Sequence, residues 1–401
     1  MLAAIRDNLR TARLNGGEVS GSLGDLGTFL PLLVAMSATN HLDFAAALFF
    51  AGVFNVVTGL LFRVPMAVQP MKAIAAIALT QGLTAPQIVA AGASVSAIVL
   101  VIGWLGLAER VERFIPRPAV RGVQLALGVT LAIKAWSMLM SGGGAWGGSA
   151  GYVIAAVSLG VVAAGMIVRR MPAALVLFAG GLVLAGVGSP GALREVSAGV
   201  WLPRWAPPGV ADFASSFTVA ALPQVPLTLL NSVVAVCVLS RELFPERPMA
   251  VGAVARSVGV MNLVGCGFGA MPMCHGAGGL AGQHAFGART NGSILLLGGV
   301  KMALAVAFGS SLAALCGAFP ASVLAVMLVV SAAALSRPAW RQLFEPGAVT
   351  ALLTAAVCVI GANILLGLAA GVAFAYLCRV PGVVPLRLDR AVLPRAAVRA
   401  A

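Results

Sequence analysis

Residues 65–76 read Pro-Met-Ala-Val-Gln-Pro-Met-Lys-Ala-Ile-Ala-Ala, and residues 272–280 read Pro-Met-Cys-His-Gly-Ala-Gly-Gly-Leu. Each stretch lies among apolar residues yet resists continuous helix. Pro65 and Pro70 cannot both sit in a regular helix interior, because proline has no N–H to give and its ring clashes with the preceding turn. Gly276, Gly278 and Gly279 disfavour helix on entropic grounds. Both stretches therefore read as extended chain followed by a short helix. Pro70 suits the first helical turn, where a missing N–H costs nothing.

Around these breaks the chain of 401 residues is 60% hydrophobic and 9% charged, with a mean hydropathy of +1.01. Soluble domains carry about 25% charged residues, and a soluble fold has too little interior for so much apolar surface. The composition excludes a soluble enzyme, a disordered chain and a disulfide-stapled domain. It predicts an all-α polytopic membrane protein. The net charge of +14 fits Lys and Arg gathered in cytoplasmic loops. No basic stripe interleaved with aromatics points to nucleic acid. The six cysteines stand singly in apolar runs without C-x-x-C spacing, so they read as small buried residues. No hydrolase elbow, phosphate loop or metal motif is present, and no enzymatic activity, cofactor or metal is expected.

Apolar runs place spans near 19–38, 43–62, 66–82, 86–107, 118–140, 151–168 and 172–188, then near 216–238, 249–269, 273–284, 291–310, 318–335, 347–361 and 364–379. A Trp- and Pro-rich stretch, 195–210, separates the two sets and offers Trp201 and Trp205 to an interface. With the N-terminus in the cytoplasm, the basic residues alternate as the positive-inside rule requires. Only Arg194 and Arg204 fall outside, and Lys72, Lys134 and Lys301 lie within the membrane. The expected organisation is a lead-in (1–15), a first repeat (16–210), a second repeat (211–380) and a basic cytoplasmic tail (381–401). The lead-in, with Arg6, Arg10 and Arg13 and no long apolar core, does not read as a cleavable signal.

Repeats of seven spans must be inverted. Residues 45–66 align without a gap on 252–273, with identities Ala46/Ala253, Gly52/Gly259, Val53/Val260, Asn55/Asn262, Val57/Val264, Pro65/Pro272 and Met66/Met273. Asn-x9-Pro-Met is the most specific part. Inverted repeats are an architecture of secondary transporters. In this topology the half-helices of spans 3 and 10 point their N-termini at the membrane centre. Each end presents unpaired N–H groups and a partial positive charge, so together they make an anion site. Ala67, Gly276, Ala277 and Gly278 are small enough to admit an anion to the backbone.

Ionisable groups at this depth are costly and usually functional. Lys72 lies at the start of half-helix 3, where a cation needs a compensating anion. An ion pair with Asp25 is expected in preference to direct ligation of substrate. Gln69 either donates its amide to an oxyanion or lines the cavity wall. His275 either serves the anion or a proton, or packs as a satisfied core histidine. Lys134 and Lys301 either snorkel, pair with backbone or bind substrate. Gly21, Gly24 and Gly27 form a smooth face for close helix approach, shared by Asp25 and Thr28. Thr228, Asn231 and Ser232 in span 8 either line the cavity or bond between helices.

The strings GSLGDLGTFLPLL (21–33), PMAVQPMKAIAA (65–76) and PMCHGAGGLAGQHAFGART (272–290) resemble signatures of the molybdate transporter family, a distant branch of the sulfate permease superfamily. The resemblance runs from about 16 to 380. It implies a seven-plus-seven inverted repeat with core spans 1–4 and 8–11, gate spans 5–7 and 12–14, and an oxyanion held between two half-helices. It carries over Asp25, Thr28, Gln69, Lys72, His275, Gly276 and Gly278, and it suggests elevator-like motion of core against gate.

The expected function is proton-coupled import of molybdate across a bacterial-type cytoplasmic membrane, with both termini cytoplasmic. The expected binding set is Thr28, Gln69, Met71, Lys72, Asn231, Ser232, His275, Gly276, Ala277 and Gly278. Asp25, Glu18 and His275 are the titratable candidates for coupling. Expected partners are molybdate or sulfate, protons, membrane lipid and, on the pattern of relatives, a second copy in a homodimer. Sulfate has the same charge and shape, and the motifs do not separate the two. A nucleobase–proton symporter is the third reading. It is disfavoured because the core spans of the second repeat carry no carboxylate in the membrane.

Overall fold

A computed structural model describes residues 2–141, 144–168, 171–361 and 363–378. The expected basic tail (381–401), and Arg169 and Arg170, lie outside the described residues. Eight helices are long and apolar enough to cross a membrane, and four shorter apolar helices accompany them. Two half-helices complete fourteen spans.

The first repeat comprises a broken span 1 (Gly16–Ser22 and Leu26–Asn40), span 2 (Phe44–Leu61), and span 3, formed by strand β1 (Val68–Pro70) and a half-helix (Lys72–Gln81). Spans 4 to 7 are Ala85–Trp104, Arg117–Met140, Gly148–Ile167 and Ala173–Gly188. The second repeat comprises span 8 (Val210–Leu243), span 9 (Val251–Gly267), and span 10, formed by strand β2 (Met273–His275) and a half-helix (Ala277–Ala285). Spans 11 to 14 are Gly292–Phe308, Ala321–Gln342, Ala348–Ile360 and Ile364–Leu377.

Packing sorts the spans into two groups. Span 2 lies against span 11 and span 4 against span 9, which are equivalent pairs under the inversion. Span 5 lies against spans 12 and 13, and span 13 against span 14. The first group is the core, the second the gate. The repeated glycine marks the equivalent crossings. A Cβ on Gly52 would come within 2.7 Å of Gly298 O, and one on Gly259 within 2.5 Å of Leu100 Cβ. Without a hydrophobic drive between helices in lipid, such close backbone approach supplies the packing.

Two features depart from the sequence reading. Span 1 is not one helix but breaks at Leu23–Asp25. Gly21, Gly24 and Gly27 do form a close-approach face, with added Cβ atoms 2.3 Å from Ala288 N, 2.6 Å from Gly282 O and 2.7 Å from Leu324 O. Pro70 ends β1 rather than opening the helix, and Met71 is the N-cap. A residue preceding proline is held extended, and Gln69 accordingly lies in the strand.

Span 8 is wound with i→i+5 turns over Phe217–Ala221 and Thr228–Ala235. Pro223 and Pro226 lie between them. Proline cannot donate to the i−4 carbonyl, which favours such a slip of register. The stretch after span 7 runs across one face of the core and bonds to the ends of spans 11 and 9. Gly199 and Trp201 N–H donate to Ala307 O and Val306 O, each at 2.9 Å, and Ala206 N–H donates to Gly267 O at 2.9 Å. At the other face, the amphipathic helix Leu107–Phe114 supplies Glu109, whose Oε1 accepts from Gly252 N–H at 3.0 Å, and Glu112, which pairs with Arg241.

Candidate functional site

β1 and β2 pair antiparallel, with Val68 opposite His275, Gln69 opposite Cys274 and Pro70 opposite Met273. The ladder is extended by Met71 N–H to Pro272 O (2.9 Å) and Gly276 N–H to Ala67 O (3.4 Å). The pseudo-two-fold axis passes through the Gln69–Cys274 pair, and both half-helices start from this crossing.

The repeated asparagines hold it in place. Asn55 Oδ1 accepts from Val68 N–H at 3.1 Å. Asn262 Oδ1 accepts from Met273 N–H at 2.6 Å, and its Nδ2 donates to Met273 O at 2.5 Å and Val258 O at 2.8 Å. Val68, not Met66, is thus the counterpart of Met273. The gapless alignment holds through spans 2 and 9, but repeat one has two extra residues before its strand. The Pro65/Pro272 and Met66/Met273 identities are matches of chain spacing, not of structural position.

Most of the sequence-nominated residues gather at this crossing. Asp25, at the break in span 1, is buried, and its Oδ1 accepts from Gln69 Nε2. Gln69 Oε1 is buried without a partner. The Gln69 side chain lies against the opposite half-helix, since a Cβ on Gly276 would fall 2.0 Å from its Oε1 and one on Gly279 2.6 Å from its Nε2. Thr28 is buried one turn beyond Asp25. The Thr228–Ala235 turn packs against both β2 and the Ala277–Ala285 helix. It brings the buried, unpartnered Asn231 Oδ1 and the buried Ser232 to the same place.

The two helix N-termini are not alike. None of the described residues accepts from the N–H groups of Ala277, Gly278 or Gly279, and all three residues are buried. At the other end, Ala73 and Ile74 N–H donate to Gln224 Oε1 at 2.8 and 3.3 Å, and Gln224 Nε2 donates to Thr228 Oγ1 at 2.9 Å. Gln224 was not singled out as a site residue in the sequence. Its one signal is a lone glutamine between Pro223 and Pro226 in an apolar span. Unpaired buried N–H groups are rare because each costs a lost hydrogen bond, and more so away from water in a bilayer. The second half-helix therefore presents the stronger demand for an acceptor. Gate residues cover it, Leu131 of span 5 and Leu335 of span 12 lying 3.0 and 3.9 Å from a Cβ placed on Gly278.

Three nominated contacts take a different form. The expected Asp25–Lys72 ion pair is not formed, because Gln69 takes the carboxylate. Among the described residues the ion pairs are Arg121–Glu242 and Arg241–Glu112. Lys301 is buried in span 11 with Nζ 3.6 Å from the centroid of the Phe29 ring, a cation–π contact. Glu18 lies apart from the crossing. Its carboxylate accepts from Arg289 and Thr290 N–H, each at 2.9 Å, and from Ser293 N–H at 3.2 Å. His275 belongs to β2, but its Nε2 lies 3.3 Å from Ser257 Oγ and its ring meets Phe62 edge-on. Its Nδ1 has no partner.

Fourteen spans in inverted repeats, with two half-helices meeting at mid-membrane, define a fold shared with two solved structures. The transmembrane domain of a cyanobacterium bicarbonate transporter, BicA, matches with a TM-score of 0.58 and 16% identity over 89% of this chain and 97% of that one. The murine anion transporter Slc26a9 in its inward-facing state matches with a TM-score of 0.61 and 14% identity over 93% and 70%. Sequence narrows the class. The profile described as molybdate transporter of the MFS superfamily matches residues 17–131 and 216–335. Molybdate transporter 2 of Arabidopsis thaliana is 36% identical over 92% of this chain and 88% of its own length. Molybdate transporter 1 of Chlamydomonas reinhardtii is 35% identical over 86% and 88%. The chain belongs to the molybdate transporter family.

Proposed function

We propose that this protein is a secondary active transporter that imports molybdate across a bacterial-type cytoplasmic membrane, coupled to protons, by elevator-like movement of the core against the gate. The observation that carries the reading is the trio of unpaired N–H groups at Ala277, Gly278 and Gly279, buried beside Asn231 and Ser232. A tetrahedral oxyanion satisfies such donors and gains from the helix dipole. Lys72, at the opposite half-helix, adds a positive charge, while Thr28, Gln69, Met71 and Gly276 shape the wall. The names of the family and its relatives favour molybdate over other oxyanions. In this reading both termini are cytoplasmic, and the repeats run from 16 to 210 and from 211 to 380.

Moving one charge against about 100 mV costs about 2.3 kcal/mol, so a dianion faces about 4.6 kcal/mol on entry to a negative interior. Uptake therefore needs coupling. We assign it to Asp25, which is buried at the crossing with Gln69 as its one hydrogen-bond partner among the described residues. Glu18 is committed to three backbone donors, and His275 faces Ser257 and Phe62.

The test is molybdate uptake into proteoliposomes with and without an inward proton gradient, challenged by excess sulfate. Gradient-driven uptake that resists sulfate is expected. Uptake abolished by modest sulfate makes the protein a general oxyanion carrier. Asp25→Asn should bind molybdate but lose its response to the gradient, and an unchanged response removes Asp25 from coupling.

A further inference from the structure

The first half-helix carries an internal substitute for an anion. Gln224 reaches from span 8 with its Oε1 on Ala73 and Ile74 N–H, the donors that an oxyanion oxygen would otherwise use. Its amide is held in that sense by Thr228, whose Oγ1 accepts from Nε2 at 2.9 Å. Gln224 and Thr228 are 1% and 0% exposed, so water does not replace either bond. The two residues are one helical turn apart in span 8, at the start of the i→i+5 turn that carries Asn231 and Ser232. Among the described residues the second half-helix has no such cap.

We propose that Gln224 is a positioning residue that makes the anion site one-sided. A neutral carbonyl occupies the positive end of the first half-helix, and the oxyanion is held chiefly on the second. The consequence is a site with a weaker positive field than two open helix ends would give. A dianion already held by Ala277–Gly279 N–H groups and by Lys72 can then be released. Thr228 acts through Gln224 by fixing which end of its amide faces the helix. This inference rests on the reading of the crossing as an oxyanion site.

The experiment measures molybdate affinity by ligand-dependent thermal stabilisation, together with uptake KM and kcat, for wild type, Gln224→Met, Gln224→Glu and Thr228→Val, each shown monodisperse on size exclusion. Gln224→Met keeps the length of the side chain and removes the acceptor. It should lower Kd for molybdate at least threefold and reduce kcat, because two freed donors hold the anion more tightly. Thr228→Val should shift Kd the same way by less. Gln224→Glu places a carboxylate on the same donors and should raise Kd at least tenfold. If Gln224→Met and Gln224→Glu leave Kd and KM at wild-type values and change only the thermal midpoint, Gln224 is a helix cap and the proposal is overturned. If wild type itself shows no stabilisation by molybdate or sulfate, the oxyanion reading fails first.

Discussion

The repeated asparagines offer a quantitative test of how the crossing is held. Asn262 satisfies both the N–H and the carbonyl of Met273, whereas Asn55 satisfies only the N–H of Val68 and leaves its own Nδ2 without a partner. Replacement by leucine keeps the branched shape and the number of heavy atoms and removes the bonds. Each buried polar group orphaned in this way costs about 1–3 kcal/mol. Asn262→Leu therefore costs about 2–6 kcal/mol and Asn55→Leu about 1–3 kcal/mol. The lower half of the second range is the better expectation, because the asparagine's own orphaned amide is relieved. The assay is the thermal midpoint of the purified protein in detergent, paired with initial uptake rates in proteoliposomes. Asn262→Leu should have the lower midpoint and the slower uptake. Equal midpoints, or a reversed order, would refute the assignment of these residues as strand braces of unequal strength.

Two further outcomes are expected. Gly276→Ala puts a Cβ 2.0 Å from Gln69 Oε1 and 2.3 Å from its Cδ. Gln69 is fully buried and held by Asp25, so it cannot simply swing away. Overpacking of about 1–3 kcal/mol should come with at least a tenfold fall in molybdate uptake, measured in proteoliposomes. Glu18→Gln leaves one of its three backbone donors facing an amide that cannot accept. The thermal midpoint should drop by the equivalent of about 1–3 kcal/mol. Dependence of uptake on the proton gradient should persist, in contrast to Asp25→Asn, and its loss would return Glu18 to the coupling machinery.

Much of this architecture is written in local chemistry. Apolar runs mark the spans, Pro and Gly mark the two half-helices, and glycines at every third residue of span 1 mark a close contact. These signals act through the backbone of the residues that carry them. What was not legible depends on partners far along the chain. The break at Leu23–Asp25 contains no proline, and it sits where Gly24 meets the backbone of Gly282. The face taken by His275 follows from the register of β2 on β1. The commitment of Glu18 follows from the fold of residues 289–293 against it. Gln69, placed at the crossing by the register of β1 on β2, takes the Asp25 carboxylate in place of Lys72.

The pairing of β1 with β2 also bears on biogenesis. When the first seven spans have been synthesised, Val68–Pro70 has no strand beside it and the half-helix after it has no Gln224. Its polar backbone lies at a depth where lipid offers no substitute. Span 3 can settle only after span 10 has been made, so the amino-terminal half waits on the carboxy-terminal half. The two halves of this duplicated chain are therefore joint tenants of one structure, and neither half of a split gene product should be stable at its crossing until co-expressed with the other.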